Sequence, residues 1–151
     1  MAGTIVVGVD GSPASQAALE FAAEEAGLRK AKLVAVHAWS YVSPPPVGDL
    51  GMTPMEGGDV PGLLEAERAA AGAALSRALE KAFPTPASVE VEPRLVEGDP
   101  AEALVSEAAG ADLIVVGSRG RGDVASALLG SVSSHVVQHA DCPVVVVRAP
   151  R

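Results

Sequence analysis

The chain has 151 residues, 48% of them apolar but only 3% aromatic, and carries a formal net charge of −8. That length suits one domain with its own core, and the acidic balance argues against nonspecific attraction to nucleic acid or anionic membrane. The single cysteine, Cys142, rules out an internal disulfide and fits a reducing cytosol.

With so few aromatic residues the core must be built from Val, Leu, Ile and Ala, as in a buried parallel sheet under alanine-rich helices. The first residues, "MAGTIVVGVDGS", lack a basic leader pattern. No window approaches the roughly 20 apolar residues that span a bilayer. A cytoplasmic domain is expected.

In chain order, "TIVVGVD" (4–10) predicts a buried strand ended by Gly11, with Ser12 as helix N-cap and Pro13 at the first helical position. The helix over 13–30 carries Ala17, Leu19, Phe21 and Ala23 at mixed spacing, with Glu24 and Glu25 toward solvent. "KLVAVHAW" (32–39) is a second strand. Residues 40–60, rich in Pro and Gly and without periodicity, predict either a lid or plain disorder. A helix over 61–83 places Leu63, Leu64, Leu75 and Leu79 on its apolar side. A third strand is expected over 88–98. Asp99, Pro100 and Glu102 then form a capping box that opens a helix to residue 110. "DLIVVG" (112–117) is the fourth strand, a helix runs from Ser131 to His139, and "PVVVVR" (143–148) is the fifth strand. Strands alternating with helices imply right-handed crossovers and a doubly wound α/β domain, an open parallel sheet with helices on both faces.

The third strand carries Glu90, Glu92 and Pro93, residues that protect a sheet edge. The last strand, Val144–Val147, has no such protection. It either lies inside the sheet or pairs with its copy in a twofold homodimer, and the dimer is the more economical expectation.

"GSRGRGDVASALLGS" (117–131) spends more glycine than a turn requires. The P-loop pattern fails here, because Asp123 and Val124 stand where a Lys-Ser/Thr pair is needed. A dinucleotide fingerprint occurs at Gly120, Gly122 and Ala125, but in the last βα unit and without a following acidic residue. The pattern G-x2-G-x9-G-S fits better, at Gly117, Gly120, Gly130 and Ser131. Gly117 would let the chain turn over a flat base, and Gly120 would admit backbone N–H groups to a phosphate. Gly130-Ser131 opens a helix whose free N–H groups and dipole favour an anion. The hydroxyls of Ser131, Ser133 and Ser134 would add hydrogen bonds, and Arg119 and Arg121 would offset phosphate charge.

Together with "VVGVDGS", "VHAW", "VEGDPAEAL" and "CPVVVVR", this element makes the chain resemble the universal stress proteins of the ATP-binding branch over almost its whole length. The resemblance implies a Rossmann-like five-stranded sheet of order 3-2-1-4-5, a homodimer through the last strand, and ATP or a related adenine nucleotide as ligand. It also implies that Asp10 lies near the adenosine and Ala38 lines the adenine pocket. Val116 and Gly117 would flank the base, while Gly120, Gly130, Ser131, Val132 and Ser133 surround the phosphates. Asp10 has a second reading as a helix-start residue. It is also the one candidate for holding Mg²⁺, directly or through water.

For catalysis the sequence offers little. His37 reads as a hydrogen-bonded strand-end residue, and His135 and His139 share a helix face without a third metal ligand. Cys142 before Pro143 starts a strand. A nucleotide-sensing regulatory protein of the stress response, with an unidentified protein partner, is the leading expectation. Slow ATP hydrolysis or autophosphorylation at Ser131 or Ser133 is one alternative, with Asp123 as a poor candidate base. A module of the same fold that binds cyclic AMP, or no nucleotide, is the other.

Overall fold

A computed structural model describes residues 3–40, 60–85, 88–120 and 129–150. Among them the elements run β1 (Thr4–Gly8), α1 (Pro13–Arg29), β2 (Lys32–Trp39), α2 (Val60–Ala82), β3 (Val91–Glu97), α3 (Pro100–Glu107), β4 (Leu113–Gly117), α4 (Ser131–His139) and β5 (Val144–Val147). The strands form one parallel sheet of order β3-β2-β1-β4-β5, as expected. The expected lid or disordered stretch lies almost wholly outside the described residues.

Strand side chains alternate between two cores. Ile5, Val7, Leu33, Ala35, Leu113 and Val115 face α1 and α2, while Val6, Val34, Val36, Ile114 and Val116 face α3 and α4. Period-two burial on both faces is why these strands read as unbroken apolar runs.

Some element bounds and faces differ from expectation. Strand β1 stops at Gly8 and β3 begins only at Val91, so Asp10 and Glu90 lie outside the strands, although the Glu90 carbonyl still accepts from Leu33 N of β2 at 2.9 Å. In α1, where the sequence showed apolar residues only at mixed spacing, the buried stripe is Ala14, Ala18, Leu19, Ala22 and Ala26, with Phe21 and Ala23 partly buried against the same core. Alanines four apart share one helix face, and their small side chains let α1 settle close to the sheet. In α2, Leu63 is 48% exposed, because burial in that helix begins at Ala71 and continues through Leu75 and Ala78.

The predicted caps are present. Ser12 Oγ accepts from Ser15 N at 3.2 Å, and Asp99 Oδ2 accepts from Glu102 N at 3.0 Å. Helix α3 ends at Glu107, three residues early, before a turn in which Gly110 takes φ +80°. At the β3 edge Glu92 pairs with Lys32 at 2.9 Å and with Arg94, which also bridges to Glu107. Strand β5 occupies the opposite edge with all four valines half-buried.

Candidate functional site

Strands β1 and β4 are neighbours, yet the chain leaves β1 toward α1 on one face and β4 toward α4 on the other. Such a divergence opens a crevice beyond the strand carboxyl ends. A cleft of about 320 Å³ lies there, within the range of roughly 300–1,000 Å³ typical of small-molecule sites. Asp10, Ala38, Val116, Gly117, Arg119, Gly120, Ser131, Val132 and Ser133 all line it. Gly130 does not, but it caps α4 directly behind the lining residues. Positions far apart in sequence thus converge on one concavity.

The β1–α1 turn is held by short-range hydrogen bonds. Asp10 Oδ1 accepts from Ser12 N at 2.8 Å, and Ser15 Oγ accepts from Asp10 N at 2.9 Å. Both readings of Asp10 are therefore compatible: one carboxylate oxygen organises the helix start while the residue lines the cleft. His37 Nδ1 lies 2.6 Å from the Val9 carbonyl, which fixes the proton on that nitrogen and ties the end of β2 to the β1 turn.

Gly117 is needed for a reason different from the one expected. A Cβ there would lie 2.7 Å from Ala14 C, 2.8 Å from Ser15 N and 2.9 Å from Ala14 Cβ. The glycine admits the first turn of α1, whereas the sequence suggested room for a base. Ser133 also differs from expectation. Its side chain is buried, and Oγ donates to the Ser118 carbonyl at 2.9 Å, with the Gly130 carbonyl at 3.2 Å. A hydroxyl has one proton, so Ser133 has none left for a phosphate oxygen. This burial also removes it as an accessible phosphorylation site, in contrast to exposed Ser131.

At α4 the cap residue Gly130 has extended backbone angles and makes no side-chain cap bond. The helical ladder begins with Ser134 N donating to Gly130 O at 3.0 Å. The amides of Ser131, Val132 and Ser133 precede it, and with the helix dipole they form an anion-favouring end. Arg119 also lines the cleft.

Several lining residues were not anticipated. Asp99, Pro100 and Leu104 enter from α3, Val36 from β2, and Gly8, Val9 and Ser15 from β1 and its turn. Asp99 was legible only as a cap; its place beside the cleft depends on β3 packing next to β2. The cleft is consequently graded, with the Asp99 carboxylate after β3, an apolar floor of Val36, Leu104 and Val116, and Arg119 with the α4 amides after β4; Asp10 lies between, in a turn whose Ser12 Oγ donates to the Arg119 carbonyl at 3.5 Å. Arg121, Gly122, Asp123 and Ala125 lie outside the described residues.

Elsewhere, His135 and His139 stack with ring centroids 4.1 Å apart, and His139 Nδ1 donates to the His135 carbonyl at 2.9 Å. No group of three or more His, Cys, Asp or Glu side chains suited to a metal occurs among the described residues. Burial, and then the Asp141 charge, pushes the Cys142 thiol up from its ordinary value, which favours the unreactive protonated form. None of the described helices is long and apolar enough to cross a membrane.

The model of the Universal stress protein family matches residues 1–148. A universal stress protein of Mycolicibacterium smegmatis is 42% identical over 145 residues, covering 95% of this chain and 45% of that protein. The chain spans about half the length of the curated relatives it matches. Among solved structures, universal stress protein UspA from Lactobacillus plantarum superposes with a TM-score of 0.75 at 29% identity, covering 97% of both chains. A universal stress protein in complex with cAMP superposes at 0.69 with 30% identity, covering 99% of this chain and 98% of that one.

Proposed function

We propose, since this chain belongs to the universal stress protein family, that it is an adenine-nucleotide-binding regulatory protein whose principal ligand is ATP. The observation that carries this reading is the graded cleft at the β1–β4 switch point, which collects nine of the ten residues expected to bind nucleotide. The apolar floor suits a base, bounded by Ala38 from β2 and by Val116 and Gly117 from β4. The amides opening α4, with Arg119, Gly120 and Gly130, suit phosphate. The carboxylate of Asp99, which follows β3, would repel phosphate from the opposite side, so the ligand has one favourable orientation. The cAMP complex of a relative 30% identical makes a cyclic monophosphate the first competitor to test.

Asp10 is the residue we assign to Mg²⁺. One of its oxygens is engaged by Ser12 N, and the other would act together with nucleotide phosphates and water, the usual Mg²⁺ arrangement. We further propose that two copies associate through the β5 edge and that the dimer acts in the cytoplasm on a protein partner. The unprotected edge position of four half-buried valines supports that association.

The test is calorimetric titration of the purified chain with ATP, AMP and cAMP, with and without Mg²⁺, beside sedimentation equilibrium. ATP is expected to bind most tightly, with one site per chain on a dimer. Failure of all three nucleotides to bind would overturn the nucleotide reading, tighter cAMP binding would overturn ATP as the ligand, and a monomer at 100-micromolar-order concentration would overturn the β5 association.

A further inference from the structure

All four buried polar side chains among the described residues are serines at the carboxyl end of the sheet: Ser12, Ser15, Ser118 and Ser133. Ser12 caps α1, and Ser15 ties the β1 turn to that helix. Ser133 has no such local task. It stands at the third position of α4, where a serine hydroxyl ordinarily meets solvent or a bound anion, and is only 1% exposed. Its contact with Gly130 O, three residues back, is the common helical back-bond. The shorter bond to Ser118 O spans 15 residues and crosses from the helix to the end of β4.

Ser118 gathers three hydrogen bonds on its own peptide groups. Its carbonyl accepts from Gly130 N at 2.6 Å as well as from Ser133 Oγ, and its amide donates to Val147 O at 2.7 Å. Gly130 offers no side chain with which to organise the first turn from outside. The anion-favouring end of α4 is therefore held against the sheet by two bonds converging on one carbonyl oxygen.

We propose that Ser133 is a positioning residue: its hydroxyl does not touch the ligand, but locks the first turn of α4 to β4 so that the leading amides are aimed at the cleft before any ligand arrives. This rests on the reading of the cleft as a nucleotide site. A donor set fixed beforehand loses no ordering free energy on binding. Losing the lock therefore weakens the hold on phosphate and leaves the hold on the nucleoside intact.

The experiment compares the wild-type chain with Ser133→Ala and Ser133→Thr, measuring calorimetric affinities for adenosine and AMP and the amide exchange of Gly130 without ligand. In Ser133→Ala the Ser118 carbonyl keeps its bond from Gly130 N, so the fold persists, which circular dichroism checks. Expected for Ser133→Ala are unchanged adenosine affinity, AMP affinity lower by about tenfold, and faster Gly130 exchange, with the hydroxyl of Ser133→Thr restoring the last two. Weaker AMP binding with Gly130 exchange as in wild type would make Ser133 a direct ligand and overturn the positioning role. Unchanged AMP affinity would overturn it too, while leaving the nucleotide reading standing. A wild-type chain that binds neither compound would overturn the nucleotide reading itself.

Discussion

Replacing Gly117 with alanine separates the steric role seen in the structure from the ligand role that the motif suggests. Carbon atoms at rest sit about 3.5–4.0 Å apart, whereas the added Cβ would meet Ala14 C at 2.7 Å and Ser15 N at 2.8 Å. About 1 Å of clearance would have to come from the backbone of α1's first turn. That turn is anchored by the Ser12 cap and by the bond from Asp10 N to Ser15 Oγ, so it cannot yield cheaply. Overpacking typically costs about 1–3 kcal/mol, and obstruction by backbone places this case near ~3 kcal/mol. For a domain of this size each kcal/mol lowers Tm by about 2–4 °C, so a drop of about 6–12 °C is expected. Urea unfolding of ligand-free protein, followed by far-ultraviolet circular dichroism, measures the loss directly. A Gly117→Ala protein within roughly 0.5 kcal/mol of wild type would refute the packing argument, and would return Gly117 to the role of admitting a base.

Two further outcomes follow from burial. Leu104 is 4% exposed and forms part of the cleft floor; Leu104→Ala should cost about 2–3 kcal/mol in urea unfolding, toward the low end for a buried leucine because one side of the cavity already opens to solvent. Cys142 should react with iodoacetamide at pH 8 several-fold more slowly in the native chain than in urea, since burial and then Asp141 raise its thiol. A folded value above the unfolded one means that this group's contribution to stability is present below the unfolded thiol value, about 8.5, and is lost as pH rises through the folded value. A rate equal to that of the unfolded chain would contradict this assignment.

The strand positions were readable because doubly buried strands are continuous apolar runs, and the two capped helix starts because Ser12-Pro13 and Asp99-Pro100 are local chemistry. The strand order rested on resemblance, and the sheet agrees with it. The buried face of α1 was not legible, since alanine marks a helix face with little hydrophobic contrast while glutamates and Phe21 draw the eye. Leu63 misled for the opposite reason: its periodicity was right, but the first half of α2 stands clear of the core. At the cleft, the motif positions converge as their spacing suggested, yet Gly117 faces a helix turn and the Ser133 hydroxyl faces a carbonyl. Those distinctions depend on which atoms pack alongside, as does the entry of Asp99 and Leu104 from α3.

The backbone of Ser118 has a thermodynamic consequence. Its amide carries the outermost strand of the sheet through Val147, and its carbonyl carries the head of α4. The two groups lie in adjoining peptide planes that meet at the Ser118 Cα, so a perturbation of either end reaches the other through the backbone of one residue. Coupling between two sites is reciprocal in free energy. Any molecule that binds the cleft more tightly when the β5 edge is occupied will, by the same factor, strengthen whatever occupies that edge.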